Sequence, residues 1–97
     1  MEAEITFDTI VPDAGTHNIE GCYRLDGCDW QIFYATHQYE GTARVFPATW
    51  RSGMTGIQIH HPRDEVLNKA AVKKALTSIL DVSEWVEVRG PGSLQMK

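Results

Sequence analysis

Residues 19–34 read Ile19-Glu20-Gly21-Cys22-Tyr23-Arg24-Leu25-Asp26-Gly27-Cys28-Asp29-Trp30-Gln31-Ile32-Phe33-Tyr34, two β-rich segments on either side of Asp26-Gly27. An Asp-Gly pair supplies the positive φ angles that a two-residue type I′ turn needs, so the stretch predicts a hairpin. The turn sets a register in which Leu25 pairs with Cys28, Arg24 with Asp29, Tyr23 with Trp30 and Cys22 with Gln31. Tyr23, Leu25, Cys28, Trp30, Ile32 and Tyr34 then share one face, and the apolar pattern agrees with the turn chemistry.

Upstream, Ala3, Ile5 and Phe7 alternate with Glu2, Glu4, Thr6 and Asp8, the period of a half-buried strand, before Val11-Pro12-Asp13-Ala14-Gly15 breaks it. Downstream, Tyr39-Glu40-Gly41-Thr42 reads as a second turn leading to a strand near Ala43 to Phe46. Pro47 must end that strand or confine it to a sheet edge, because proline has no N–H for a ladder. Arg51-Ser52-Gly53 is loop, and Thr55 to His60 reads as a strand through Ile57 and Ile59. His61-Pro62 then opens a helix over about residues 62–80. Proline suits a first helical turn, and Asp64 and Glu65 oppose the positive end of the macrodipole. Ala71, Val72, Ala75, Leu76 and Ile79 fall on one arc at helical spacing, opposite Lys73 and Thr77. A last strand runs through Trp85-Val86-Glu87-Val88.

These elements predict an α+β fold, an antiparallel sheet of four or five strands covered on one face by the 62–80 helix. A ferredoxin-like order is the alternative, although the first helix of that order has no counterpart between Asp8 and Glu20. The expected organisation is one domain over residues 1–90 and a flexible tail over 91–97 after Gly90. The chain has 97 residues and 42% hydrophobic content, and no apolar run reaches the 18 residues a spanning helix requires. The opening Met1-Glu2-Ala3-Glu4 has neither a basic nor an apolar region of signal-peptide type, so a cytoplasmic protein is expected.

Charge is unevenly distributed. Residues 1–40 carry eight acids against Arg24, a net of −7, whereas residues 41–97 carry eight bases against five acids, a net of +3. Such asymmetry speaks about partners more than about fold. Glu2, Glu4 and Asp8 lie on one side of a strand with steps of roughly 6.6 Å per two residues, Asp26 and Asp29 crown the hairpin, and Glu40 follows it. A row of carboxylates of this kind competes for the Lys/Arg tracks with which proteins hold phosphates. Solubility and protection of a strand edge are its plainer explanation.

The remaining chemistry-bearing residues point less sharply. Cys22 and Cys28 face opposite ways in the expected register, so free thiols are predicted, and their spacing is not that of a zinc knuckle. Cys22 as a nucleophile needs a base, for which His17 and His37 are the candidates. His60 and His61 are neighbours on a strand and point apart, so they do not share one metal ion; His61 is expected at the helix cap or in a loop. No P-loop, dinucleotide, HExxH or GxSxG signature occurs. Arg63, Lys69, Lys73 and Lys74 form a possible basic helix face, although Arg63 and Lys69 project about 120° apart. Trp30 and Tyr34 are expected in the core, and Trp50 is the aromatic least expected to be buried.

The sequence therefore predicts a non-enzymatic binding or inhibitor protein, without cofactor or metal. Its acidic surface of Glu2, Glu4, Asp8, Asp26, Asp29 and Glu40 occupies a basic nucleic-acid-binding groove of a protein partner. In size and charge the chain is similar to free-standing acidic inhibitors of restriction or CRISPR machinery, and that comparison implies neither direct nucleic-acid binding nor membrane association. The alternatives are a structural or assembly subunit acting through protein contacts, and a nucleic-acid binder acting through the helix lysines.

Overall fold

The computed structural model describes residues 2–89, so the expected 91–97 tail lies outside the described residues. Six strands and one helix follow in the order β1 (Glu2–Phe7), β2 (Asn18–Leu25), β3 (Gln31–Tyr39), β4 (Arg44–Thr49), β5 (Thr55–Pro62), α1 (Lys69–Ile79) and β6 (Glu84–Glu87). They form one sheet in the order β4-β5-β3-β2-β1-β6 with α1 packed on one face. The α+β class agrees with the sequence reading, but the sheet has six strands and is mixed: β3 pairs with β5, and β1 with β6, in parallel. The chain leaves β3, turns down the outer edge as β4, and returns as β5 between β4 and β3. It then passes through α1 to the opposite edge, where β6 pairs with β1. This order is not ferredoxin-like, because five strands precede the only helix among the described residues.

The register explains the core. Across the helix-side face, Ile5 pairs with Tyr23, Gly21 with Phe33, Phe33 with Ile57, Ile19 with Ala35, and Ala35 with Ile59. All of these side chains are buried, and Val72, Leu76 and Leu67 close over them. A Cβ added at Gly21 would lie 2.6 Å from Phe33 Cζ and would also overlap the Thr6 carbonyl, so Phe33 occupies the space that a side chain at 21 needs. Phe7 meets the same ring edge-on at 5.6 Å.

The hairpin exists, but its register differs from the expected one by a residue. Tyr23 pairs with Gln31 and Cys22 with Ile32, leaving residues 26–30 outside the ladder. The Cys28 N–H donates to the Leu25 carbonyl at 2.9 Å, which confirms a turn on Asp26-Gly27. Among the described residues only glycines have positive φ, Gly27 at 76°. Asp26 therefore cannot supply the second positive φ of a type I′ turn, and a single positive φ at Gly27 is the pattern of type II. Because side chains alternate, the shift changes which residues face each other. Phe33 and Ala35 join the core, while Ile32 and Tyr34 lie with Cys22 on the opposite face. Trp30 and Tyr34, expected in the core, are half-buried.

The helix starts later than expected. Pro62 ends β5 opposite Tyr39, and the helix is capped by Asn68, whose Oδ1 accepts from the Ala71 N–H at 3.0 Å. Asp64 and Glu65 lie in the preceding turn, so no acid occupies the first helical turn. A proline compatible with a helix start is equally compatible with a strand end, because in both places its missing N–H is tolerated. Val72 and Leu76 are buried as the arc predicts, whereas Ile79, at the helix end, is 45% exposed. Pro47 does lie on an edge strand, as its missing donor requires. Trp85 ties β6 to the helix by donating from Nε1 to Thr77 Oγ1 at 2.9 Å and meeting the Tyr23 ring edge-on at 6.3 Å.

Two outcomes test this packing by urea denaturation. Leu76→Ala should cost about 2–5 kcal/mol, and Ile79→Ala less than about 1 kcal/mol. Gly21→Ala should destabilise the fold more than Gly27→Ala. The former drives a methyl into Phe33, while the latter meets none of the described residues within 4 Å and strains only the backbone.

Candidate binding face of the sheet

The face opposite α1 is organised in rows that cross the strands. One row runs Thr6, Cys22, Ile32, Gly56 and Ala48. Apart from Ile32 these are small residues, and Gly56 carries none at all because its Cβ would overlap the Ile32 carbonyl. The next row runs Glu20, Tyr34, Gln58 and Phe46, and is extended past β1 by Asp8, whose N–H donates to the Glu20 carbonyl at 2.8 Å. A low floor beside a taller row leaves a trough. The turn between β4 and β5 closes its other side: Trp50 N–H donates to the Met54 carbonyl at 2.9 Å, and both side chains are half-buried. The result is a cleft of about 320 Å³ whose walls include Trp50, Tyr34 and Met54, with Cys22 and Ile32 beneath and Asp8 and Glu20 at one side.

The six expected acids are not gathered at one place. Glu2 is in β1 opposite Glu84. Glu4 is on the open face but paired with Arg24, whose Nε donates to Glu4 Oε1 at 2.9 Å and whose Nη2 donates to the same oxygen. The Arg24 guanidinium also lies 4.7 Å from the Trp30 ring centroid, so this pair forms a neutral, stacked unit. Asp26 and Asp29 are exposed in the hairpin turn. Glu40 lies beyond the other end of β3, exposed and 3.2 Å from Arg63. Asp8, just past β1, is joined at the cleft by a second carboxylate, that of Glu20. The sequence counted Glu20 in the charge total but not in the site. The correct register is what places it beside Tyr34.

The two cysteines are free, Cys22 buried and Cys28 exposed. Burial first, and then the charge of Asp8, push the Cys22 thiol up from 9.0 to about 11. It is therefore protonated near neutral pH and a poor nucleophile. His17 and His37 do not serve it as a base. They stack on each other at 6.0 Å, and His37 lies 5.8 Å from His61, near the loop that precedes α1. His37 Nε2 donates to the Glu65 carbonyl, and His61 Nε2 donates to that of Val66 at 3.0 Å, fastening that loop. His61 is thus a buried strand residue, neither helix cap nor loop. Its neighbour His60 points to the open face between Tyr39 and Phe46, at 5.3 and 5.0 Å. Among the described residues no three His, Cys, Asp or Glu side chains are grouped to hold a metal ion.

The helix cations are largely engaged: Lys69 Nζ is 2.7 Å and Lys73 Nζ 4.0 Å from Glu87 carboxylate oxygens, which ties α1 to β6. No helix of the described residues is long and apolar enough to cross a membrane. The chain matches no protein-family model, no curated protein and no solved structure.

The thiols give a direct check. At pH 8 a disulfide reagent such as DTNB should label Cys28 in the native protein and both cysteines only after denaturation. A thiol that titrates higher when folded stabilises fully below its unfolded value and loses that contribution as pH rises. Stability should therefore fall between pH 9 and about 11 in the native sequence, and this component should vanish in Cys22→Ala.

Proposed function

We propose that this protein is a non-enzymatic binding or inhibitor protein that lays its acidic surface into a basic, nucleic-acid-binding groove of a protein partner. It would act as a nucleic-acid mimic, in the manner of acidic inhibitors of restriction or CRISPR machinery. The observation that carries this reading is the charge layout. Of the eight acids of the first 40 residues, Glu2 and Glu4 lie in β1, Asp8 just after it, Glu20 in β2 and Asp26 and Asp29 in the hairpin turn, while Arg24, the only Lys or Arg of that segment, is spent on Glu4. The surface consists of Asp8 and Glu20 on the open face and Asp26 and Asp29 at the hairpin tip, with Glu2 in the adjoining strand. Glu4 and Glu40 contribute less net charge because Arg24 and Arg63 oppose them.

The competing readings have less support. Binding of nucleic acid through the helix needs free lysines, yet Lys69 and Lys73 share Glu87. Among the described residues the exposed large apolar side chains, Ile10, Val66, Ile79 and Val86, lie on four different segments, which gives little support to an assembly patch. The reading places the protein in the cytoplasm, where reduced thiols and nucleic-acid-handling machinery coexist.

Affinity capture with the full chain as bait should retain proteins that duplex DNA or RNA displaces, and the association rate should fall steeply with salt, because charge steering is screened over roughly 10 Å at 0.1 M. The double reversal Asp26→Lys with Asp29→Lys should weaken capture at least tenfold without unfolding the protein. The protein alone should not retard DNA or RNA in a gel. Direct, salt-sensitive retardation would contradict the mimic, and a partner held equally by the double reversal would reduce the acidic tip to a solubilising surface.

A further inference from the structure

The cleft between Trp50 and Tyr34 has a composition that the charge layout alone does not explain. Its walls include the aromatic side chains of Trp50 and Tyr34 beside Met54, its base is Ile32 and the protonated Cys22, and its polar side is Asp8 and Glu20; no Lys or Arg of the described residues lines it. Among the described residues Glu20 makes no ion pair. Aromatic faces attract cations through their quadrupole, and a planar guanidinium stacks on them more readily than a compact ammonium does. Carboxylates accept the edge N–H groups of the same guanidinium, two at a time where geometry allows. A volume of about 320 Å³ is at the small end of ligand clefts, room for one long side chain rather than a strand or a nucleotide pair.

We propose that this cleft is an arginine-side-chain pocket: it receives one guanidinium from the partner, stacked against Trp50 or Tyr34 and paired with Glu20 and Asp8. The inference rests on the reading of the protein as a binder of basic surfaces and names the anchoring contact within it. It also gives the acidic face a directional element. A carboxylate row steers a basic partner from a distance but fixes no register, whereas one arginine seated in an aromatic-walled cleft does. Anchors of this type carry a disproportionate share of interface energy.

Why this sequence builds such a pocket follows from the sheet. Gly56 leaves the trough open beside Ile32, and Cys22 is small enough to keep its base low. The β4–β5 turn, closed by the Trp50 to Met54 hydrogen bond and by Gly53 at a φ of 91°, holds the indole at the mouth. Arg24, the nearest basic residue along β2, is drawn away by Glu4 and Trp30 and so does not fill the site itself.

The test uses the intact chain, labelled with nitrogen-15 and followed by amide and indole chemical shifts. The probes are L-argininamide and its isostere L-citrullinamide, which share shape and the α-amino group and differ in side-chain charge. Argininamide should saturate at roughly millimolar concentration, as befits a ligand of a dozen heavy atoms, with shifts at Cys22, Tyr34 and the Trp50 indole. Citrullinamide should bind at least tenfold more weakly. Glu20→Gln should weaken argininamide severalfold, and Asp26→Asn with Asp29→Asn should leave it unchanged. Equal binding of the two probes would show an apolar cleft without charge recognition and overturn the proposal, as would shifts confined to the hairpin tip or no saturable shift. Failure here with successful capture of DNA-displaceable partners would remove only the arginine pocket. Saturation here without such partners would remove the mimic and leave the pocket.

Discussion

Phe33 lies over Gly21, and most of the architecture follows from that contact. A side chain at position 21 would collide with the ring and with the Thr6 carbonyl, so the β2–β3 register is locked where a glycine faces an aromatic. With the register fixed, Ile19, Tyr23 and Ala35 turn toward the helix, and the parallel neighbour β5 sends Ile57 and Ile59 to the same side. Strand alternation then leaves no freedom on the other face: Glu20, Cys22, Ile32 and Tyr34 must lie there. The binding face is in this sense a consequence of how the core packs. A substitution that let β2 slip by one residue would turn Glu20 and Cys22 toward the helix while Phe33, held beside Ile57 of β5, stayed in the core.

Legibility of the sequence varied with the range of the interactions involved. The alternation of Ala3, Ile5 and Phe7, the turn at Asp26-Gly27, the edge position of Pro47 and the burial of Val72 and Leu76 were readable because each depends on neighbours within a few residues. The hairpin register was not, because Asp-Gly suits a type II turn as well as type I′, and the choice was made by Phe33 packing on Gly21 across the sheet. The helix start failed for a similar reason: Pro62 is acceptable at a strand end, and pairing of β5 with β3 carried the strand through His61 and Pro62. Asn68, a residue that favours helix caps, was the available signal for the true start. The parallel pairings of β3 with β5 and β1 with β6 have no local signature.

The site was legible as charge and illegible as shape. Counting acids located the negative half of the chain, and Asp8, Asp26 and Asp29 are exposed as expected. Pairing of Glu4 with Arg24 and of Glu40 with Arg63 joins residues 20 and 23 positions apart, beyond the reach of local pattern. The cleft required Trp50 and Met54 from one turn to meet Cys22 and Tyr34 from another hairpin. Trp50 stood out in the sequence only as an aromatic in a polar stretch. Its half-burial at the mouth of an acidic cleft is what turns that oddity into a candidate contact.

The dependence of the binding face on one packing contact is open to a single spectroscopic measurement: nuclear Overhauser contacts between the Phe33 ring protons and the Gly21 α-protons. Strong cross-peaks are expected, with the Gly21 α-proton resonances displaced upfield by the ring current. Cross-peaks joining Tyr23 to Trp30 instead, with Gly21 at ordinary shifts, would establish the other hairpin register, put Glu20 and Tyr34 on opposite faces of the sheet, and contradict this packing.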